Sequence, residues 1–243
     1  MASIPSYKET VIGRFSGQAH VYEQHARLQE LVAARLAHYL PQLEQPQILE
    51  VGCGTGFLTR HLLAAYSDGE FLITDLSQNM LDECADNSGV FERLQYSVMD
   101  GEHPCVDKKF DLIITSMTAQ WFDTPLESLL RLIRLLKPGG HLLYSTIGPD
   151  LFPQWRDVLR DLGLPCGLLV IPDLPGVFAE DCPCSQFESG LAFLTSLKLT
   201  GASHPRSDYA QLSAGELRRA LRLFETRMNC RCNWHILYGH LRG

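Results

Sequence analysis

A glycine-rich turn in the first third of the sequence has the clearest chemical meaning. Gly52, Gly54 and Gly56 alternate with other residues, directly after an apolar run that ends in Glu50-Val51. Glycine lets a backbone turn sharply and approach a ligand closely. The Gly-x-Gly-x-Gly spacing differs from the Gly-x-Gly-x-x-Gly of dinucleotide sites. It therefore favours a ligand without a pyrophosphate, although nicotinamide and flavin sites use similar turns.

Three carboxylates stand at or near the ends of successive predicted strands. Glu50 precedes the glycine turn, where it would repel a diphosphate but attract an aminoacyl ammonium. Asp75 follows the second predicted strand and can accept hydrogen bonds from both ribose hydroxyls of a nucleoside. Asp100 follows the third and can accept from an adenine amine. Either aspartate alone could be an ordinary turn residue, but together with the turn the set predicts a nucleoside site.

Alternating strands and helices must position these residues. Apolar runs predict strands over Gln47–Val51, Glu70–Thr74, Leu94–Val98, Phe110–Ser116 and His141–Thr146. Helical spacing predicts helices over Phe57–Tyr66, Gln78–Asn87 and Pro125–Leu136, the last stopped by Lys137-Pro138-Gly139-Gly140. This alternation predicts an α/β fold in which helices cover both faces of a parallel sheet.

The flanks are less regular. Residues 7–40 have helical spacing, and three further helices are predicted near Pro153–Leu162, Phe187–Leu199 and Ala214–Met228. The last element, Asn233–Leu241, alternates like a strand and could close one edge of the sheet. Between these elements, residues 163–186 are rich in proline and cysteine and show little periodicity.

Composition excludes several classes of protein. Of 243 residues, 21 are Lys or Arg and 28 are Asp or Glu, a formal net charge of −7 that argues against a general nucleic-acid binder. The sequence predicts neither a membrane span nor a secretory signal. We therefore expect a cytoplasmic protein with reduced thiols. The pairs Cys182/Cys184 and Cys230/Cys232 have C-x-C spacing, whereas metal sites more often use C-x2-C, so no metal site is predicted.

The motifs together resemble the class I S-adenosylmethionine-dependent methyltransferases. The resemblance covers residues 47–147 and rests on Glu50–Gly56, Asp75-Leu76-Ser77, Asp100 and Lys137-Pro138-Gly139-Gly140. It implies a Rossmann-like, mostly parallel seven-stranded sheet, with an N-terminal helix and a C-terminal cap added to it. It also implies S-adenosyl-L-methionine as cofactor, held by Glu50, Gly52, Gly54, Gly56, Asp75, Leu76, Met80, Asp100, Gly101 and Ser116.

Four flanking segments are similar to the malonyl-acyl-carrier-protein O-methyltransferases of biotin synthesis. They are residues 12–26, Ala119-Gln120-Trp121, residues 196–202 and residues 234–239. The resemblance implies methylation of the free carboxylate of a malonyl thioester on acyl-carrier protein or coenzyme A. One departure is that the resemblance implies more residues between Trp155 and Phe187, including a helix and a further strand.

That reaction implies roles for a few side chains. A carboxylate is already ionised at neutral pH, so no general base is required. Tyr22 and Trp121 are candidate aromatic walls for the sulfonium, although Trp121 could be an ordinary core residue. Arg14, Arg27 and Lys198 are candidate cations for the substrate carboxylate, and for Arg14 a solvated helix-face charge is the alternative interpretation.

Charge along the chain points to an acidic protein partner. The last forty residues hold seven arginines and three carboxylates. Arg218, Arg219 and Arg222 lie within about one turn of a predicted helix and could form a basic stripe for an acyl-carrier protein, with a solvated helix face as the alternative.

We predict one methyltransferase domain over 1–243, composed of a helical lid (1–40), a cofactor core (47–147) and a cap (148–243).

Other functions remain open from the sequence. The altered stretch 156–186 would fit a methyltransferase for another small acid or a quinone-like metabolite. A cofactor-binding accessory subunit without catalysis would be expected to have a damaged cofactor motif, whereas this motif is intact.

Overall fold

The computed structural model describes the backbone over residues 19–199 and 210–243, and the side chains over 26–197 and 210–243. The described helices are α1 (Ala19–Ala37), α2 (Phe57–Ala65), α3 (Gln78–Ser88), α4 (Pro125–Ile133), α5 (Pro153–Asp161), α6 (Gly190–Leu199) and α7 (Ala214–Met228). The described strands are β1 (Gln47–Val51), β2 (Glu70–Asp75), β3 (Leu94–Val98), β4 (Phe110–Ser116), β5 (Leu136–Ile147), β6 (Val177–Asp181), β7 (Cys184–Gln186), β8 (Arg231–Asn233) and β9 (Ile236–Arg242).

Seven of these strands form one sheet in the order β3-β2-β1-β4-β5-β9-β6. Strands β1 to β5 pair in parallel, with Ile48 opposite Phe71 on one side and Leu112 on the other. Strand β9 is antiparallel to both β5 and β6. The mostly parallel seven-stranded sheet implied by the resemblance is therefore confirmed.

The strand order fixes where a ligand can bind. From β1 the chain moves outward to β2 and β3, and from β4 it moves the other way to β5. Because parallel crossovers are right-handed, α2 and α3 cover one face and α4 covers the other. The direction reverses between β1 and β4. A crevice therefore opens at the carboxyl ends of these two strands, as in other doubly wound sheets.

The core around the sheet explains why its central strands form. Four of the five residues of β1 are buried, as are five of the seven residues of β4. Leu49, Ile113 and Leu142 of neighbouring strands are all fully buried in one apolar cluster. Each such side chain contributes about 1.5–3 kcal/mol through removal from water. A continuous apolar run is the pattern expected of a strand buried on both faces.

The described chain divides into two compact units. The larger unit comprises Leu28–Leu151, Val170–Pro183 and Trp234–Gly243, and contains the whole seven-stranded sheet. The smaller unit includes Phe152–Leu169 and the described part of Cys184–Asn233, with α5, α6, α7 and the β7–β8 pair. Its core is aromatic: the ring centroid of Phe193 lies 5.3 Å from that of Trp155 and 4.7 Å from that of Phe224.

The join between α4 and β5 differs from the sequence prediction. Helix α4 ends at Ile133 rather than Leu136, and β5 already begins at Leu136. The expected helix stop at 137–140 is thus part of the strand. Two contacts hold it there: Lys137 Nζ lies 2.7 Å from Asp111 Oδ2, and the Gly139 N–H donates to the Gly243 carbonyl oxygen. Both partners are distant in sequence, so local pattern could not identify them.

The proline- and cysteine-rich stretch also differs from its expected irregularity. It contains β6, which forms an edge of the sheet against β9. Val177 and Phe178 are 41% and 47% exposed, and the register shifts between Val177 and Ala179. An exposed edge strand with a register shift lacks clean apolar alternation, which is why the sequence does not predict it.

Two predicted helices and the absence of a membrane span can be compared with the structure. Helix α1 is described from Ala19, so residues 7–18 of the predicted helix lie outside the described residues. Helix α6 begins at Gly190 rather than Phe187, because Ser189 Oγ accepts a hydrogen bond from the Ala192 N–H and caps it. Within the described residues, no helix is both long and apolar enough to cross a membrane.

Candidate functional site

Hydrogen bonds to β2 fix the glycine loop at the crevice. The N–H groups of Gly52 and Cys53 donate to the Thr74 carbonyl oxygen at 2.8 and 3.0 Å. Gly52 has φ +72°, and a Cβ there would lie 2.4 Å from Thr118 Oγ1. A side chain at Gly52 would therefore strain the backbone and collide with the turn after β4, so glycine is required on two counts.

Asp75 lies beside this loop at the end of β2. Its Oδ2 accepts from the Gly54 N–H at 2.9 Å, and its Oδ1 accepts from the Ser77 N–H at 2.9 Å. Burial raises the pKa of Asp75, while the hydrogen bonds from Ser77, Gly54 and Leu76 act in the opposite direction. A Cβ on Gly54 would meet no atom within 4 Å. The loop thus holds a fixed carboxylate next to open space.

Glu50 lies within the fold rather than on its surface. Its side chain is 1% exposed, and its Oε2 accepts a hydrogen bond from the Thr59 hydroxyl of α2 at 2.7 Å. Burial raises the pKa of Glu50 to about 8, and the Thr59 hydrogen bond partly offsets this. The carboxyl is therefore largely protonated at neutral pH unless a cation comes near it.

The loop after β3 brings Asp100 and Gly101 to the same end of the sheet. The Met99 N–H donates to the Asp75 carbonyl oxygen at 2.9 Å, which joins this loop to the end of β2. Asp100 Oδ1 accepts from the Glu102 N–H at 3.0 Å. A Cβ on Gly101 would lie 2.5 Å from Val51 Cγ1, so this glycine allows a close approach to β1.

The carboxyl ends of β4 and β5 form a polar wall. Ser116 Oγ and Ser145 Oγ lie 3.1 Å apart. Thr118 Oγ1 is within hydrogen-bond distance of the carbonyl oxygens of Gly52 and Ser116, at 3.3 and 3.1 Å. Trp121 ends a short 3-10 turn, Ala119–Trp121, that follows directly, and its side chain is half-buried. Ser116 and Trp121 are thus held on the β4 side of the crevice.

Two predicted apolar cofactor contacts follow Asp75. Leu76 is 38% exposed although it is large and apolar. Met80 lies in the first turn of α3 and is half-buried. Leu76 therefore leaves an apolar surface open to solvent beside the Asp75 carboxylate.

Several predicted site residues lie where the structure describes no side chain. Arg14 lies outside the described residues. Tyr22 is on α1 and Lys198 on α6, both at positions where the described residues include backbone only. Lys198 belongs to the smaller unit, whereas the glycine loop and Asp75 belong to the larger one.

Sequence reasoning did not identify three residues that support the site. Thr59 orients Glu50, and Thr118 packs over Gly52. Glu102 is 2% exposed and its Oε1 accepts from the Thr124 N–H and the Ser128 hydroxyl, both at 3.1 Å, so it caps α4. For Thr59, the sequence offers one indication of a role in the site, which is a hydroxyl side chain three residues after Gly56. Glu102 and Thr118 contact residues that are distant in sequence, so local pattern could not identify them.

Metal ligation finds no support in the described part of the chain. No group of three or more His, Cys, Asp and Glu side chains there could hold an ion. All eight cysteines are free thiols.

Comparison with known proteins gives a consistent result. The family model described as "Methyltransferase domain" matches residues 49–142. A malonyl-[acyl-carrier protein] O-methyltransferase from Magnetococcus marinus is 37% identical over 94% of this chain and 90% of its own length. The biotin biosynthesis bifunctional protein BioCD of Bordetella avium is 35% identical over 96% of this chain, which spans 52% of that protein.

Solved structures share the fold at low identity. The YcgJ protein of Bacillus subtilis has a TM-score of 0.58 and 15% identity, covering 88% of this chain and 99% of that one. A protein from Bacillus halodurans described as a methyltransferase has a TM-score of 0.56 and 13% identity, covering 87% and 99%. At this identity the likeness concerns the fold alone, and it agrees with the Rossmann-like sheet.

Proposed function

We propose that this chain, which belongs to the family of malonyl-[acyl-carrier protein] O-methyltransferases, methylates the free carboxylate of malonyl-acyl-carrier protein. The chain is a methyltransferase, and the proposal concerns its methyl donor and acceptor. The observation that carries it is the intact crevice: Asp75 is fixed by the N–H groups of Gly54 and Ser77 beside an open glycine loop.

The residues present fit S-adenosyl-L-methionine. The Asp75 carboxylate accepts backbone N–H groups from Gly54, Ser77 and Leu76, and its two oxygens have about four acceptor sites, so lone-pair capacity remains for ribose hydroxyls. The exposed Leu76 would pack on the adenine and Asp100 would accept from its amine. The buried Glu50 carboxyl offers a partner for the aminoacyl ammonium, whose charge would lower the Glu50 pKa. The remaining proposed contacts are Gly52, Gly56, Met80, Gly101 and Ser116.

The reaction requires little acid–base chemistry from the protein. The bound cofactor supplies an activated methyl group on a sulfonium, and the malonyl carboxylate is already ionised at neutral pH. The protein must align the two groups and exclude water. We propose Tyr22 and Trp121 as aromatic walls at the sulfonium, and Arg14 and Lys198 as cations that orient the substrate carboxylate.

We further propose that an acidic carrier protein docks on α7. Arg218, Arg219 and Arg222 are exposed on this helix. The opposite side of the helix packs inward through the buried Ala220 and Phe224. Neighbouring Arg227 already has a partner, since it pairs with Asp161. Arg219 also interacts with Glu216 on the same helix, and the exposed guanidinium groups of Arg218 and Arg222 would be the main contacts for carboxylates of a partner.

We propose that the protein is cytoplasmic, because an enzyme that acts on a carrier-bound malonyl group must share a compartment with the carrier protein. The free state of all eight cysteines agrees with a reducing compartment.

Incubation with S-adenosyl-L-methionine labelled in its methyl group tests the proposal. Purified chain, labelled cofactor and malonyl-acyl-carrier protein should yield a labelled methyl ester, detected on the intact carrier by mass spectrometry. Acetyl-acyl-carrier protein, which lacks the free carboxylate, is the matched control and should remain unlabelled.

Two outcomes would overturn the proposed acceptor. One is the absence of label on malonyl thioesters, with label on another small acid. The other is equal labelling of the acetyl and malonyl carriers, because it would place the methyl group elsewhere than on the malonyl carboxylate.

A further inference from the structure

Two cysteines meet beneath the glycine loop. Cys53 lies within the loop, between Gly52 and Gly54, and its N–H is fixed to the Thr74 carbonyl oxygen. Cys84 lies on α3, which passes below the loop: a Cβ on Gly56 would be 3.0 Å from Cys84 Sγ. Both cysteines are buried. The Gly56 N–H donates to the Cys53 carbonyl oxygen at 3.0 Å, so the residue beside Cys84 Sγ is joined to Cys53. The two thiols are close enough to affect each other's pKa.

The surroundings of these sulfurs distinguish one from the other. Cys84 Sγ also lies 3.3 Å from Thr59 Oγ1 and 3.7 Å from Ser88 Oγ. The Cys53 thiol, followed by these hydroxyls, lowers the pKa of Cys84 to about 6 against the effect of burial. The same contact and burial raise the pKa of Cys53. The pair therefore favours deprotonation of Cys84 over that of Cys53, and a thiolate is the reactive form of cysteine.

We propose that Cys53 and Cys84 form a peroxide-sensitive thiol pair whose disulfide blocks the cofactor crevice. In the first step the Cys84 sulfur attacks one oxygen of hydrogen peroxide, the O–O bond breaks and hydroxide leaves, which yields a sulfenic acid. In the second step the Cys53 sulfur attacks Cys84, the S–O bond breaks and water leaves. The two sulfurs lose two electrons in total, peroxide gains them, and the hydroxide takes a proton from solvent.

Loss of cofactor binding follows from what the loop holds. Cys53 is next to Gly54, whose N–H orients Asp75 through a 2.9 Å hydrogen bond. A bond from Cys53 to α3 would pull the loop backbone toward the helix and away from Asp75. The same bond would restrict Gly56, the N-cap residue of α2, because an added Cβ on this glycine would lie only 3.0 Å from Cys84 Sγ. The consequence for binding rests on the proposed cofactor role of this loop, whereas the disulfide itself does not.

Peptide mapping tests the disulfide directly. The full chain is treated with hydrogen peroxide, its remaining thiols are alkylated, and it is digested with trypsin without reduction. Cleavage after Arg35, Arg60 and Arg93 gives peptides 36–60 and 61–93, each with a single cysteine, Cys53 and Cys84. We expect these two peptides to be joined, and to separate again after treatment with dithiothreitol.

Cofactor affinity is measured by calorimetry on the same samples. We expect peroxide to weaken binding of S-adenosyl-L-methionine at least tenfold, reversibly with dithiothreitol. Cys84→Ser and, independently, Cys53→Ser should abolish both the joined peptide and this sensitivity. Cys105→Ser changes an exposed thiol and is the matched control, which should respond like the unaltered chain.

The outcomes separate this inference from the proposed function. Peroxide-treated protein without the joined peptide overturns the thiol pair, and a joined peptide with unchanged cofactor affinity overturns the proposed block of the crevice. An untreated chain that binds no cofactor overturns the proposed function instead, and the peptide map would still report on the pair.

Discussion

At the scale of single residues, the site is a set of polar groups whose partners fix their state. Asp75 is held by two backbone N–H groups, and Glu50 by the Thr59 hydroxyl. The sequence predicted both carboxylates at this end of the sheet, because strand ends follow from apolar patterning. It could not predict that Glu50 is almost completely buried, because burial depends on which helix covers the strand.

Asp75→Asn should weaken binding of S-adenosyl-L-methionine. Both carboxylate oxygens accept backbone N–H groups. In asparagine the amide nitrogen replaces one of these oxygens, so two hydrogen-bond donors would oppose each other and the side chain would move. We expect the dissociation constant to rise about 10- to 100-fold, equivalent to about 1.4–2.7 kcal/mol, measured by calorimetry. Asp86→Asn removes the same charge from an exposed position on α3 and should bind normally. Unchanged affinity in Asp75→Asn would refute the ribose role.

Glu50→Gln should change the pH dependence of stability. The folded-state pKa of about 8 lies above the ordinary value of 4.5, so the unfolded chain loses this proton first as the pH rises. Unaltered protein therefore loses stability between about pH 4.5 and 8, and the glutamine variant lacks this loss. We expect the variant to be about 1–3 kcal/mol more stable at pH 8 and nearly equal at pH 5, measured by urea unfolding.

A matched variant makes that comparison specific. Glu44→Gln removes an exposed carboxyl and should follow the unaltered protein at every pH. If the curves of Glu50→Gln and the unaltered chain run parallel from pH 5 to 8, the Glu50 pKa is not raised.

At the scale of elements, the parallel part of the fold followed from local pattern and the remainder did not. The predicted bounds of β1, β3, β4 and α7 agree with the structure residue for residue. Strands β1 and β4 are mostly apolar, β3 alternates apolar and polar residues, and α7 has a clear helical period with a Ser213–Glu216 capping box. The sequence does not predict strand β6, because this strand is stabilised by pairing with β9 and has no clear periodicity of its own.

Charge reversal on α7 tests the docking proposal at this scale. Arg218→Glu with Arg222→Glu should raise the KM for malonyl-acyl-carrier protein at least tenfold, because the carrier's carboxylates would meet like charge. The KM for malonyl-coenzyme A should change little. Lys108→Glu with Arg134→Glu makes the same charge change at exposed positions before β4 and after α4, and should leave both values unchanged. Equal loss on both substrates would remove the docking role of α7.

At the scale of the whole molecule, chain connectivity joins the two compact units. The chain passes from one to the other after Leu151, Leu169, Pro183 and Asn233, so each unit consists of separate stretches of sequence. A unit built from discontinuous stretches requires the rest of the chain to close it. We therefore propose that residues 1–243 form one cooperative domain, as the sequence predicts.

Unfolding followed by two probes tests this proposal. Trp155 is the tryptophan of the smaller unit, whereas Trp121 and Trp234 belong to the larger one. Fluorescence of a variant that retains only Trp155 should give the same urea midpoint as circular dichroism of the whole chain, as expected of a two-state transition. Midpoints that differ between the two signals would show two independent domains.

The sequence by itself determined the parallel core, the glycine loop and the carboxylates at its strand ends, because these depend on local periodicity and on the conformational freedom of glycine. The tertiary structure alone decided that Glu50 is buried, that Thr118 closes over Gly52, that β6 completes the sheet and that Cys84 meets Cys53. Each of these is a contact between segments far apart in the chain. The free energy of such a contact arises from packing and desolvation between these segments, which no local sequence pattern indicates.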